Sequence, residues 1–166
     1  MASYLYSAPA GVPGDITRVD LTSVEPARLI AASSVFAQAF GIPVKYVAGG
    51  IQQFNGGAET AADFAGILVR EVPSISGNAA QGLDDTVPNP LQIAGFTPRG
   101  YVNVKCVAGT PVRGALVYVQ IIANGGVAVG AFRATADSSN TIQLTNATWA
   151  ADGKDADNNA EIRVAR

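Results

Sequence analysis

The residues best equipped for chemistry in this 166-residue chain are the oxygen donors of 152–159, DGKDADNN, a density of carboxylates and amides that suits calcium. Laid on the helix-loop-helix calcium pattern from Asp155, Asp157 and Asn159 fall at positions three and five. Position six is then Ala160 where the pattern needs Gly, and position twelve is Arg166 where it needs Glu, so the pattern fails. A solvated turn made by Asp, Asn and Gly is the simpler reading. Paired acids such as Asp84 with Asp85, or Glu59 with Asp63, suit a glycosidase only if held about 5 to 10 Å apart across a sugar with one desolvated, and nothing in their setting supplies that. Cys106 shares a face with Val102 and Val104, which makes it a small core residue and not a nucleophile.

Missing residue types close off more. There is no histidine, which removes the usual general base, metal ligand and nucleophile partner. One cysteine without histidine excludes the ordinary structural zinc sites and any internal disulfide. No phosphate loop occurs, and Gly125, Gly126 and Gly130 do not make a dinucleotide fingerprint. No catalytic, cofactor-binding or metal residues are therefore assigned, and the chain is read as no enzyme and without cofactors.

The elements behind these residues are strands. Residues 101–106 alternate, with Val102, Val104 and Cys106 on one face and Tyr101, Asn103 and Lys105 on the other. A break at 108–111 leads to a second β-rich run at 115–122, whose expected partner is the strand just before it. Further strands are expected at 42–48, 64–72, 142–144, around Trp149, and at 161–164. Asn55, Gly56 and Gly57 offer a tight turn, as do Asn124, Gly125 and Gly126. Residues 73–98 read as a long Pro/Gly-rich loop of the functional kind. VKYVAG at 44–49 and VKCVAG at 104–109 match at five of six positions, but the surrounding spacing differs and no repeat is inferred.

Composition agrees. The chain is 48% hydrophobic and only 14% charged, with 18 Gly and 9 Pro, a profile of short strands and turns in one all-β domain. Residues 1–28 read as an extended N-terminal arm ahead of a β domain at 29–166. Tyr4, Leu5, Tyr6, Val12, Ile16, Val19 and Leu21 give that arm more apolar matter than a solvated tail keeps, as expected if it docks on a neighbour. Thr22, Glu25 and Pro26 could alternatively open a short helix running through Ala32. The net charge of −2 offers no basic surface for nucleic acid. Apolar runs of at most about eight residues are too short to cross a bilayer, and the N-terminus does not look like a signal peptide. A lone cysteine fits synthesis in a reducing host cytoplasm.

Several segments then look familiar together: SAPAGVPGDITR at 7–18, VEPARL at 24–29, FGIPVKYVAGGI at 40–51, FAGILVREVPS at 64–74, RGYVNVKCVAGTPVRGALVYV at 99–119 and ADSSNTIQLTNATW at 136–149. They resemble the structural cement, or head decoration, proteins of tailed bacteriophages. The resemblance implies a small β-barrel or jelly-roll-like sandwich on the outer surface of the capsid of a virion, bridging subunits of the major capsid protein beside neighbouring copies of itself. The alternative is a jelly-roll carbohydrate-binding module with Tyr101, Tyr118 and Trp149 lining a groove.

Overall fold

The computed structural model describes residues 11–30, 39–70 and 93–165, and the statements below concern these. Nine strands appear: β1 (Ser23–Arg28), β2 (Pro43–Val47), β3 (Gly50–Gln53), β4 (Phe64–Leu68), β5 (Ile93–Ala108), β6 (Leu116–Gln120), β7 (Phe132–Arg133), β8 (Thr141–Trp149) and β9 (Asn159–Val164). The fold is all-β, as the composition implies, and its closure is that of barrels.

β5 organises everything. Its second half pairs with β9 on one side and, in parallel, with β7 on the other; β7 pairs with β6, β6 with β8 and β8 with β9. That chain of pairings returns to β5, so five strands close a ring and leave no open edge. Its first half pairs with β1 and β4, β4 with β2, and β2 with β3. Leu29, directly after β1, bridges Ile51 of β3 and nearly closes a second, smaller ring.

Each ring has its own apolar interior. Val102, Val104, Cys106, Val117, Val119, Phe132, Leu144, Trp149, Ile162 and Val164 fill the larger one, and Leu29, Val44, Ile51, Ala65, Leu68 and Phe96 the smaller. β4 lies between them with all five residues buried: Phe64 and Ile67 belong to the larger core, Ala65 and Leu68 to the smaller. A register shift between β2 and β4 accompanies that double-sided use.

The expected alternation holds where it was clearest: Val102, Val104 and Cys106 are buried, as are Ile162 and Val164. Five expectations are corrected. The run at 115–122 does not pair with the strand before it, because Gly114 N–H donates to Trp149 O and Gly153 N–H to Pro111 O. Those bonds carry the connection across to β8 and leave β7 between β5 and β6. Residues 22–28 are not helical: Thr22 Oγ1 accepts from Tyr101 N–H at 3.0 Å, and β1 takes its hydrogen bonds from β5. Residues 93–98 are strand, not loop, since β1 and β4 flank them; 71–92 lie outside the described residues. The β2–β3 reversal is made at Gly49, with φ of 86°, and not at Asn55 to Gly57, which Glu59 organises by accepting from the N–H groups of Asn55 and Gly56. The separate strands near 142 and 149 are one, β8.

Candidate docking surface

Residues 14–17 pair antiparallel along the edge of β5 opposite β9. Gly14 N–H donates to Asn103 O, Asn103 N–H to Asp15 O and Thr17 N–H to Tyr101 O, while Ile16 bridges Val102 and packs against the core. Gly11, at the start of this segment, lies against the Asn103 side-chain amide, which accounts for the burial of Asn103 on the nominally outer face of β5. Residues 23–28, read from sequence as part of an arm, are a strand of the smaller ring. Of the seven candidate arm residues, Tyr4, Leu5 and Tyr6 lie outside the described residues. Ile16 faces its own barrel, and Val12, Val19 and Leu21 face outward, Val19 at 77% exposure being the most exposed of the large apolar side chains described.

Next to this short ladder the strand registers assemble a band. Leu116 sits opposite Thr148, Thr148 opposite Arg163, and Arg163 opposite Tyr101. Cross-strand neighbours on one face lie within side-chain reach, so the row is continuous over β6, β8, β9 and β5. Arg18 extends it: its guanidinium lies 4.1 Å from the Tyr101 ring centroid. Its Nε and Nη2 donate to the two carboxylate oxygens of Glu161 at 3.1 and 2.8 Å. That bidentate bond, opposed in part by burial, pushes the Arg18 pKa above its ordinary value. Arg18, Arg113 and Arg163 together line a shallow cleft walled by Tyr101, Thr148 and Trp149. Leu116, Val112, Val19 and Leu21 adjoin it in sequence or register and are exposed.

The sequence reading did not single out Arg113, Arg163 or Leu116. Arg163 carried a signal, the outward phase of β9, but its meeting with Arg18 and Arg113 depends on pairings between distant strands.

The other candidate sites resolve differently. In the acidic loop, Asp155 Oδ1 accepts from Asp157 N–H at 2.9 Å and Asn159 N–H at 2.7 Å, and Asn159 Nδ2 donates to Asp155 Oδ2. Asp155 thus serves as the local cap of a turn. Asp63 bonds the Thr60 N–H and hydroxyl, whereas Glu59 pairs with Lys45 at 2.9 Å, so these two acids are used in separate local structures. Asp84 and Asp85 lie outside the described residues. Cys106 is fully buried, and desolvation, the largest influence on it, pushes its pKa up. The three aromatics proposed as a sugar groove do not present one: Trp149 is 1% exposed in the barrel core and Arg18 covers the Tyr101 ring.

Comparison with known proteins adds a family. The model of the family described as "Structural cement protein (E217 gp24/Pam3 gp6)" matches residues 2–165. No curated protein matches the sequence. Among solved structures, a chain described under "The capsid of Myoviridae Phage XM1" is similar at a TM-score of 0.70 and 16% identity, over 98% of this chain and 94% of that one. At that identity the likeness speaks for the fold.

Proposed function

Because the chain belongs to the structural cement protein family of phages, we propose that it fastens neighbouring major capsid protein subunits together from the outer surface of a bacteriophage head. Its role is structural and capsid-associated. The match over residues 2–165, which spans both rings, carries this reading.

Physical features support the finer points. A net charge of −2 suits the outside of the shell better than its DNA-facing side. Closure of the larger ring and near-closure of the smaller leave little sheet edge exposed, so many copies can crowd a shell without pairing edge to edge. A modest contact at each end of a bridging molecule is multiplied when both ends bind, which is how a small domain resists internal pressure. The outward Val12, Val19 and Leu21, with the preceding Tyr4, Leu5 and Tyr6, form the arm that grips capsid protein or a neighbouring copy. The protein is made in the host cytoplasm.

Co-sedimentation of the purified chain with expanded heads tests the proposal: saturable binding that raises the temperature of head disruption is expected. Heads that neither retain the chain nor gain stability would refute it. Deleting residues 1–10 should leave the fold intact and weaken head binding. Deleting 1–21 should in addition lower the melting temperature, because Ile16 and the bonds over Asn103 are lost.

A further inference from the structure

We propose that the cleft between Arg18, Arg113 and Arg163 seats a carboxylate of the major capsid protein, an Asp or Glu side chain on the segment that lies against this face. The inference rests on the capsid reading above and deepens it by naming the chemistry of one contact. Three guanidinium groups reach one cleft from three separate stretches of chain: the end of the segment paired with β5, the connection before β6, and β9. Only Arg18 has an ionic partner, Glu161; among the described residues Arg113 and Arg163 have none, and both are exposed. Carboxylates stand nearby as well, Asp152 accepting from the Arg113 backbone N–H at 2.8 Å and Asp20 two residues beyond Arg18, but neither is paired with the Arg113 or Arg163 guanidinium, so those two forks stay open.

A carboxylate arriving from outside makes charge-assisted hydrogen bonds with those open forks, and the planar fork of arginine matches carboxylate geometry in a way lysine does not. Arg18 is already held, by its two bonds to Glu161 and its stacking on Tyr101, so little motion is lost when it meets a partner. Exposed Val112, Leu116, Val19 and Leu21 beside the cleft suit a folded or extended protein segment, with apolar contacts around a central ion pair. A nucleic acid would need a longer basic track than this acidic chain offers.

Trp149 is 1% exposed with its side chain in the core behind the cleft, so heat and not fluorescence supplies the signal. The full chain is titrated in a calorimeter with an N-acetylated Leu-Asp-Asp-Leu peptide amide, with the Leu-Asn-Asn-Leu peptide, inorganic phosphate and a single-stranded oligonucleotide as separate arms. The Asp peptide should produce a saturable change that the Asn peptide does not, and R113Q/R163Q should weaken it about tenfold or more. The same double variant should melt like the wild type and bind heads about tenfold more weakly, with a flatter salt dependence. A response to phosphate or oligonucleotide equal to that of the Asp peptide would overturn the proposal, as would a double variant that binds heads with unchanged affinity and salt dependence. In that last case the wild type still binds heads and the cement reading stands; if the wild type itself fails to bind, both fall.

Discussion

Replacing Phe96 by Ala should loosen both rings at once. Phe96 is 1% exposed, packs with Leu29, Val44, Ile51, Ala65 and Leu68 in the smaller core, and meets Tyr46 edge-on at 5.8 Å between ring centroids. Removing a buried Phe side chain from such a site costs about 3 to 5 kcal/mol, a large share of the roughly 5 to 15 kcal/mol that holds an ordinary domain folded. With a urea dependence of about 2 kcal/mol per molar, the unfolding midpoint should fall by about 1.5 to 2.5 M. The informative probe is Trp149, because it sits in the other core. β5 belongs to both rings, and β4 puts side chains into both interiors, so losing the smaller core removes strands and contacts that the larger one needs. Trp149 fluorescence and far-UV circular dichroism should therefore shift together, as a single transition. If Trp149 kept its wild-type midpoint while circular dichroism split into two steps, the rings would be independent and the argument from shared strands would fail.

Three further outcomes are expected. Gly66→Ala would place a Cβ 2.4 Å from the Thr97 carbonyl oxygen, a backbone atom that cannot swing away, so β4 must shift from β5 and the melt should show a loss of about 2 kcal/mol or more. On Glu59, burial is the largest influence and acts upward, but hydrogen bonds from Lys45 and from backbone N–H groups together hold the pKa below its usual 4.5. A depressed carboxylate stabilises the fold above its unfolded pKa and loses that contribution as pH falls through the folded value. Denaturation measured from pH 7 down to 3 should thus show stability falling below about pH 4.5, and Glu59→Gln should shrink that fall. Cys106 should resist iodoacetamide at pH 8, reacting at least about 100-fold more slowly in the native protein than in urea, because burial disfavours the thiolate and access requires opening of the barrel.

What the sequence could reveal was whatever has a short period. Val102, Val104 and Cys106, and again Ile162 and Val164, point inward as alternation requires, because side-chain direction in a strand is a local property. Partnership is not local. Nothing within 101–122 says that β7 will insert between its two strands, or that residues 93–98 will be held between β1 and β4. β4, with all five residues buried, has no polar face to announce which side meets which core. Thr22 and Glu25 do have capping-box spacing, yet the Thr22 hydroxyl is taken by the Tyr101 backbone, a partner 79 residues away. The arginine cleft was illegible for the same reason. Each arginine alone reads as a solvated surface charge, and only the pairing of distant segments, 14–17 on β5, Gly114 on Trp149 and β9 between β5 and β8, sets them round one cleft. By contrast, the lack of histidine and the family likeness are carried by the residues themselves and need no strand pairing to be read.

The sixteen residues of β5 measure up to about 50 Å along the backbone at the usual rise per strand residue. A ring is laced to either half of that length, so neither can slide or swivel without tearing its ladder from a common rail. Whatever holds the molecule by its opposite ends is thereby kept at a fixed gauge. In the bridging role proposed above, such a part would work as a calliper as much as a glue, fitting a lattice at one spacing and bearing load when that lattice tries to stretch past it.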